Sequence, residues 1–96
     1  MFVLVAEIDL RVPAAQSLKE KRSVVTSIVR KLDQMHAVAA AEVDHLDDRQ
    51  RAVIGVSAVG GEVSHVRELI DAVERHVWSR PEIEVLDVHR SWWEDD

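Results

Sequence analysis

From Phe2 to Val12 apolar side chains recur at every second position: Phe2, Leu4, Ala6, Ile8, Leu10 and Val12. The intervening set, Val3, Val5, Glu7, Asp9 and Arg11, is mixed. A period of two marks a half-buried strand, here with its even-numbered residues inward. Pro13 ends it, and Ala14 to Gln16 form a connection. Ser17-Leu18-Lys19-Glu20 reads as a capping box, whose hydroxyl and carboxylate satisfy free N–H groups at a helix start. The period then becomes helical: Leu18, Val25, Ile28, Val29, Leu32 and Met35 share one stripe as far as about Met35. Lys21 falls on that stripe. Its stem is expected to pack while its amine reaches water, the sharper alternative being a fixed cation facing a carboxylate or bound anion. Lys19, Arg22 and Arg30 fall on the outer side.

The stretch from Ala37 to Gly60 organises the rest, as two strands joined by a charged turn. In Ala37–His45, Ala39, Ala41 and Val43 are expected inward, with Glu42 and Asp44 opposite. In Arg51–Val59, Ala52, Ile54, Val56 and Ala58 point inward, and Gly60-Gly61 break the strand. A second helix is predicted from about Glu62 to Ser79, burying Val63, Val66, Leu69, Ile70, Val73 and Val77, until Arg80-Pro81 stop it. Ile83 to about Trp92 form the last strand, with Leu86 and Val88 inward, before an acidic SWWEDD end. Trp78, Trp92 and Trp93 are expected to pack, and His36, His65 and His76 to lie at the solvated surface. No linker, repeat or low-complexity run divides the chain, so residues 1–96 are read as one domain.

The order β-α-β-β-α-β at these lengths predicts an α+β, ferredoxin-like split fold. Two right-handed crossovers give a four-stranded antiparallel sheet ordered 4-1-3-2 with both helices on one face. One end of that sheet gathers the first strand's exit, the first helix's start and the turn between strands two and three. Arg11, Ser17, Lys19, Lys21 and Arg22 thereby approach a candidate polar rim of Glu42, Asp44, His45, Arg49 and Arg51, with Asp47 and Asp48 between. Opposite charges converge there as structural ion pairs, a ligand site, or both. The uncovered face is expected to show Val3, Val5, Val53, Val59 and Val85 among Glu7, Asp9, Glu42, Asp44, Asp87 and His89. An apolar patch of that kind is a candidate interface, and a homodimer through it is the expectation.

Composition narrows the chemistry. The absence of cysteine excludes disulfides, thiolate nucleophiles and cysteine-based metal centres. With 47% hydrophobic and 31% charged residues, the 96-residue chain is an ordinary soluble domain. MFVLVAEIDL is interrupted by Glu7 and Asp9 and reads as a strand, not a signal peptide, and no run spans a bilayer. A cytoplasmic location without membrane partners is expected.

The net charge of −6 disfavours DNA and indiscriminate nucleic-acid binding. That average hides a basic segment: Lys19, Lys21, Arg22, Arg30 and Lys31 stand against Glu20 alone between Ser17 and Lys31. These five are the candidate anion or RNA contacts.

Four ordered segments, SLKEKRSVV (Ser17–Val25), AEVDH (Ala41–His45), QRAVIGV (Gln50–Val56) and EVLDVHRSW (Glu84–Trp92), together resemble the YlxP-like proteins, a bacterial family of unknown function. The resemblance covers nearly the whole chain. It implies the same ferredoxin-like fold and a translation context, since genes for such proteins often lie near those for ribosome-maturation and initiation factors. It transfers no catalytic residue. Arg49 stands where the family often has an aromatic before the Gln-Arg pair, so no stacking role is carried over to that position.

Three functional classes follow. An accessory protein could touch RNA or a ribosomal partner through phosphate contacts from the first helix. Base stacking in the manner of RNA-recognition motifs is disfavoured, because Val3, Val5, Glu7, Asp9, Val53, Gly55 and Ser57 offer no ring. A homodimeric interaction module would work through the valine-bearing face. An enzyme or small-ligand domain would use the Asp44/His45 rim, yet alternation points those two side chains apart. There is no nucleophile elbow, phosphate loop or zinc spacing, so no cofactor, metal ligand or catalytic residue is assigned.

Overall fold

Unbroken antiparallel pairing between the two longest strands sets the fold's geometry. In the computed structural model, which describes residues 1–94, β1 (Phe2–Arg11) pairs with β3 (Arg51–Gly60) from Phe2 opposite Gly60 to Arg11 opposite Arg51. β2 (Val38–Asp44) and β4 (Glu84–Trp92) flank them, giving the order β2-β3-β1-β4, the expected sheet read from its other edge. Leu4, Ala6, Ile8 and Leu10 lie opposite Ala58, Val56, Ile54 and Ala52, and all eight are buried.

Both helices seal that face. α1 (Leu18–Asp33) contributes Val25, Ile28 and Leu32, and α2 (Val63–Trp78) contributes Val66, Ile70, Val73 and Val77, to a single core. The capping box forms with one shift. Ser17 Oγ accepts from the Glu20 amide at 3.1 Å, while the Glu20 carboxylate reaches back to the Gln16 amide at 2.6 Å, one residue beyond the expected partner.

β2 has the opposite phase to the one its sequence suggests. Val38, Ala40 and Glu42 lie opposite Ala58, Val56 and Ile54 and point inward; Ala39 and Ala41 share the open face. Three consecutive alanines carry no contrast between faces. Val38 at the strand's start and Glu42, matched to a buried cation described below, decide the phase. The register shifts between Glu42 and Asp44, so Val43 is the extra residue of a bulge, and Asp44 returns to the open face opposite Val53. A Cβ on Gly55 would lie 2.9 Å from Val43 Cγ1, which places the valine over the glycine.

A second irregularity re-aims β4. Asp9 pairs with Asp87 but Leu10 pairs with Val85, so Leu86 is passed over and is left exposed. Val85 packs against the core and drops out of the open-face set; Val88, opposite Ile8, is inward as expected. Trp92 packs on the core edge, edge-to-face with Phe2 at 6.5 Å and beneath the Arg67 guanidinium at 5.8 Å. Trp78 and Trp93 are instead exposed. The last two acidic residues of the SWWEDD segment, Asp95 and Asp96, lie outside the described residues.

Candidate functional site: a latched rim beside a basic groove

The rim residues do converge, and they largely satisfy one another. Lys21 is fully buried on the core stripe of α1. Its Nζ donates to Glu42 Oε2 at 2.6 Å, to the His45 carbonyl at 3.1 Å and to the Leu46 carbonyl at 3.4 Å. An ammonium has three N–H donors, and here each meets an acceptor. The backbone supplies two of them because the chain turns left-handed at His45, with φ 58°, as it leaves β2. Histidine is among the residues that tolerate that region best. The amine of Lys21 therefore does not reach water, and Lys21 leaves the set of surface anion contacts. The inward Glu42 is the reason.

The turn that follows is held by its own carboxylates. Asp44 Oδ1 accepts from the His45 amide at 2.8 Å. Asp48 Oδ1 accepts from the Gln50 and Arg51 amides at 2.8 and 2.9 Å. These two backbone donors hold the Asp48 carboxyl below the ordinary carboxylate range. Gln50 staples this turn to the β1–α1 connection: its carbonyl accepts from the Val12 amide, and its side chain donates to the Pro13 and Ala15 carbonyls. Arg51 grips Asp9 through both carboxylate oxygens at 2.9 and 2.8 Å. Arg11 pairs with Glu84 at 3.0 Å, and Arg22 more loosely with Asp47 at 3.7 Å. Arg49 is exposed and makes no ion pair among the described residues. Among the described residues no three His, Asp or Glu side chains gather as a metal group.

The remaining cations form a separate surface. Lys19, Arg22, Arg30 and Lys31 line an open groove along the outer side of α1, with the polar groups of Ser23, Thr26, Ser27 and Gln34 between them. At 1.5 Å per residue, Lys19 and Arg30 stand roughly 16 Å apart along the helix axis. Arg80, read from sequence as part of a stop signal, forms the far wall. Its Nε donates to Glu82 at 2.9 Å and its Nη2 to Ser27 Oγ at 3.0 Å. No carboxylate lines this groove among the described residues. His76 is half-buried rather than solvated, and its Nε2 is buried without a hydrogen-bond partner among the described residues. Periodicity gave no sign of either residue, because both matter through the neighbouring helix.

On the opposite side of the molecule, Val3, Val5 and Val53 are half-buried and Val59 is exposed. Val5, Glu7, Ala39, Ala41, Val43, Gly55 and Ser57 line a shallow, mainly apolar trough on the open sheet.

Fold and site together define a small ferredoxin-like α+β protein with a self-latched rim and a basic helical face. The chain belongs to the family described as protein of unknown function (DUF503), whose model matches residues 3–90. It is also 30% identical over 88 residues to the uncharacterized protein YlxP of Bacillus subtilis (strain 168), covering 92% of this chain and 96% of that one. The YlxP-like resemblance seen in the four sequence segments is thereby established. Among the described residues no helix is long and apolar enough to cross a membrane.

Proposed function

We propose that this is a non-enzymatic accessory protein that meets structured RNA, in the setting of translation, through phosphate contacts along the outer face of α1. The observation that carries this reading is the groove itself: Lys19, Arg22, Arg30, Lys31 and Arg80 line it without a carboxylate among the described residues, on a molecule of net charge −6. Placing four of these five cations on one helix favours an extended polyanion, and the acidic remainder of the chain disfavours adhesion elsewhere. The intervening hydroxyls and the Gln34 amide add uncharged donors of the kind that position a phosphate backbone. The translation setting comes from the family resemblance. Titrating a structured RNA hairpin at several salt concentrations tests it. Three to five phosphate contacts give a log–log salt slope of about −2 to −4; no binding even at low salt would end this reading.

The open sheet supports a second reading, a homodimer formed face to face. Its favouring observation is the mainly apolar trough lined by Val5, Val43 and the alanines of β2, with Glu7 the charged residue in its lining and the nearby Asp9 already neutralised by Arg51. A second copy offers the same mainly apolar strip, as a two-fold contact requires.

A further inference from the structure

We infer that the seam where Ser27 and Lys31 of α1 meet His76 of α2 and Arg80 is the seat of one RNA phosphodiester, and that filling it draws a proton from solvent onto His76. The inference rests on the RNA reading above and locates the grip within the groove.

Arg80 is the cation held most rigidly there. Bonds to Glu82 and Ser27 fix its plane, and its side chain keeps 19% of its surface exposed. A guanidinium has five N–H donors, so three stay available, both of those on Nη1 among them. A fork already held in place loses little freedom when it takes an anion. Lys31 approaches the same seam from the last turn of α1. His76 stands behind the residues that line the groove, close enough to feel the Arg80 and Lys31 charges, and its Nε2 is buried and unpartnered among the described residues.

The charges facing His76 are Arg80, Lys31 and Glu82. Burial first, then the Arg80 and Lys31 charges, hold its imidazole below the ordinary histidine range, with Glu82 opposing. A phosphodiester between Lys31 and Arg80 offsets the field of those two cations and gives a protonated imidazole an anionic neighbour. The His76 pKa then rises on binding, so binding tightens as pH falls. A rise of about one unit corresponds to up to about tenfold in affinity. Lys19, Arg22 and Arg30 continue the groove beyond the seat, which favours a polynucleotide over free phosphate.

The test uses the full chain and a structured RNA hairpin at low salt, following His76 by NMR and affinity from about pH 7.5 to about pH 5.5. The expected result is a higher His76 pKa in the complex, with severalfold tightening at low pH that His76→Gln loses. RNA that binds but leaves the His76 titration unmoved would overturn the seat, as would full pH dependence in His76→Gln. Inorganic phosphate shifting His76 as far as the RNA does would overturn the polynucleotide assignment. An RNA that fails to bind at any pH removes the proposed function together with the seat.

Discussion

The Lys21 ammonium lies 2.6 Å from the Glu42 carboxylate and joins the first turns of α1 to the inward face of β2. Lys21 is without solvent contact, while the Glu42 side chain keeps 15% of its surface exposed. Removing one partner of such a pair strands the other, which makes the two single substitutions unequal. Glu42→Leu leaves a cation wholly inside and is expected to destabilise the fold by about 3 kcal/mol or more. Lys21→Met leaves a carboxylate with some access to water, and about 2 kcal/mol is expected. The double variant should lose less than the sum of the two. Urea unfolding of the three variants checks this; additive losses would mean that the two side chains are not coupled.

Two glycines face tight quarters of different softness. A Cβ on Gly60 would lie 2.9 Å from Val66 Cγ2, and Val66 is fully buried on the inner face of α2. A Cβ on Gly55 would meet Val43 at the same distance, but Val43 is half in solvent and free to swing away. Gly60→Ala is therefore expected to cost about 1–3 kcal/mol, as overpacking does, and Gly55→Ala less than about 1 kcal/mol. Thermal unfolding ranks them, and the reverse order would count against the placement of α2.

The Asp48 carboxyl titrates below its ordinary value of 3.8 because two backbone amides donate to its ionised form. A depressed carboxyl contributes stability that is present above the ordinary value and is lost as pH falls through the folded one. The stability gap between wild type and Asp48→Asn should accordingly be steady above 3.8 and shrink in more acidic solution. Paired unfolding curves read it directly. A gap that widens with acid would show that the carboxylate does not hold the turn.

Val5 lies half-buried on the open face, opposite Ser57 and Ser91. Under the face-to-face reading, Val5→Asp converts a dimer into a folded monomer, seen as halved mass by sedimentation equilibrium with an unchanged circular-dichroism spectrum. A wild-type protein that sediments as a monomer would exclude that dimer.

The six elements and their order were legible because every even-numbered residue of β1 is apolar and both helices carry an apolar stripe, interrupted in α1 by Lys21. The convergence of Lys21 with the 42–46 segment was legible too, as a consequence of topology. The phase of β2 was not: Ala39, Ala40 and Ala41 look alike from either side, and Glu42 faces inward only because Lys21 waits there. Nor was Val85, since one passed-over residue, Leu86, inverts the alternation of β4 near its start. Arg80 and His76 escaped because their significance lies across the seam between two helices, which no periodicity within either one records.

The most direct test of the proposed RNA contact is an amide chemical-shift map of the labelled protein titrated with an RNA hairpin at low salt. The account predicts shifts confined to the α1 face from Lys19 to Lys31 and to the neighbourhood of His76 and Arg80, with Val3, Val5 and Val53 unmoved. Shifts centred on the valine-bearing sheet, or none at all, would contradict it.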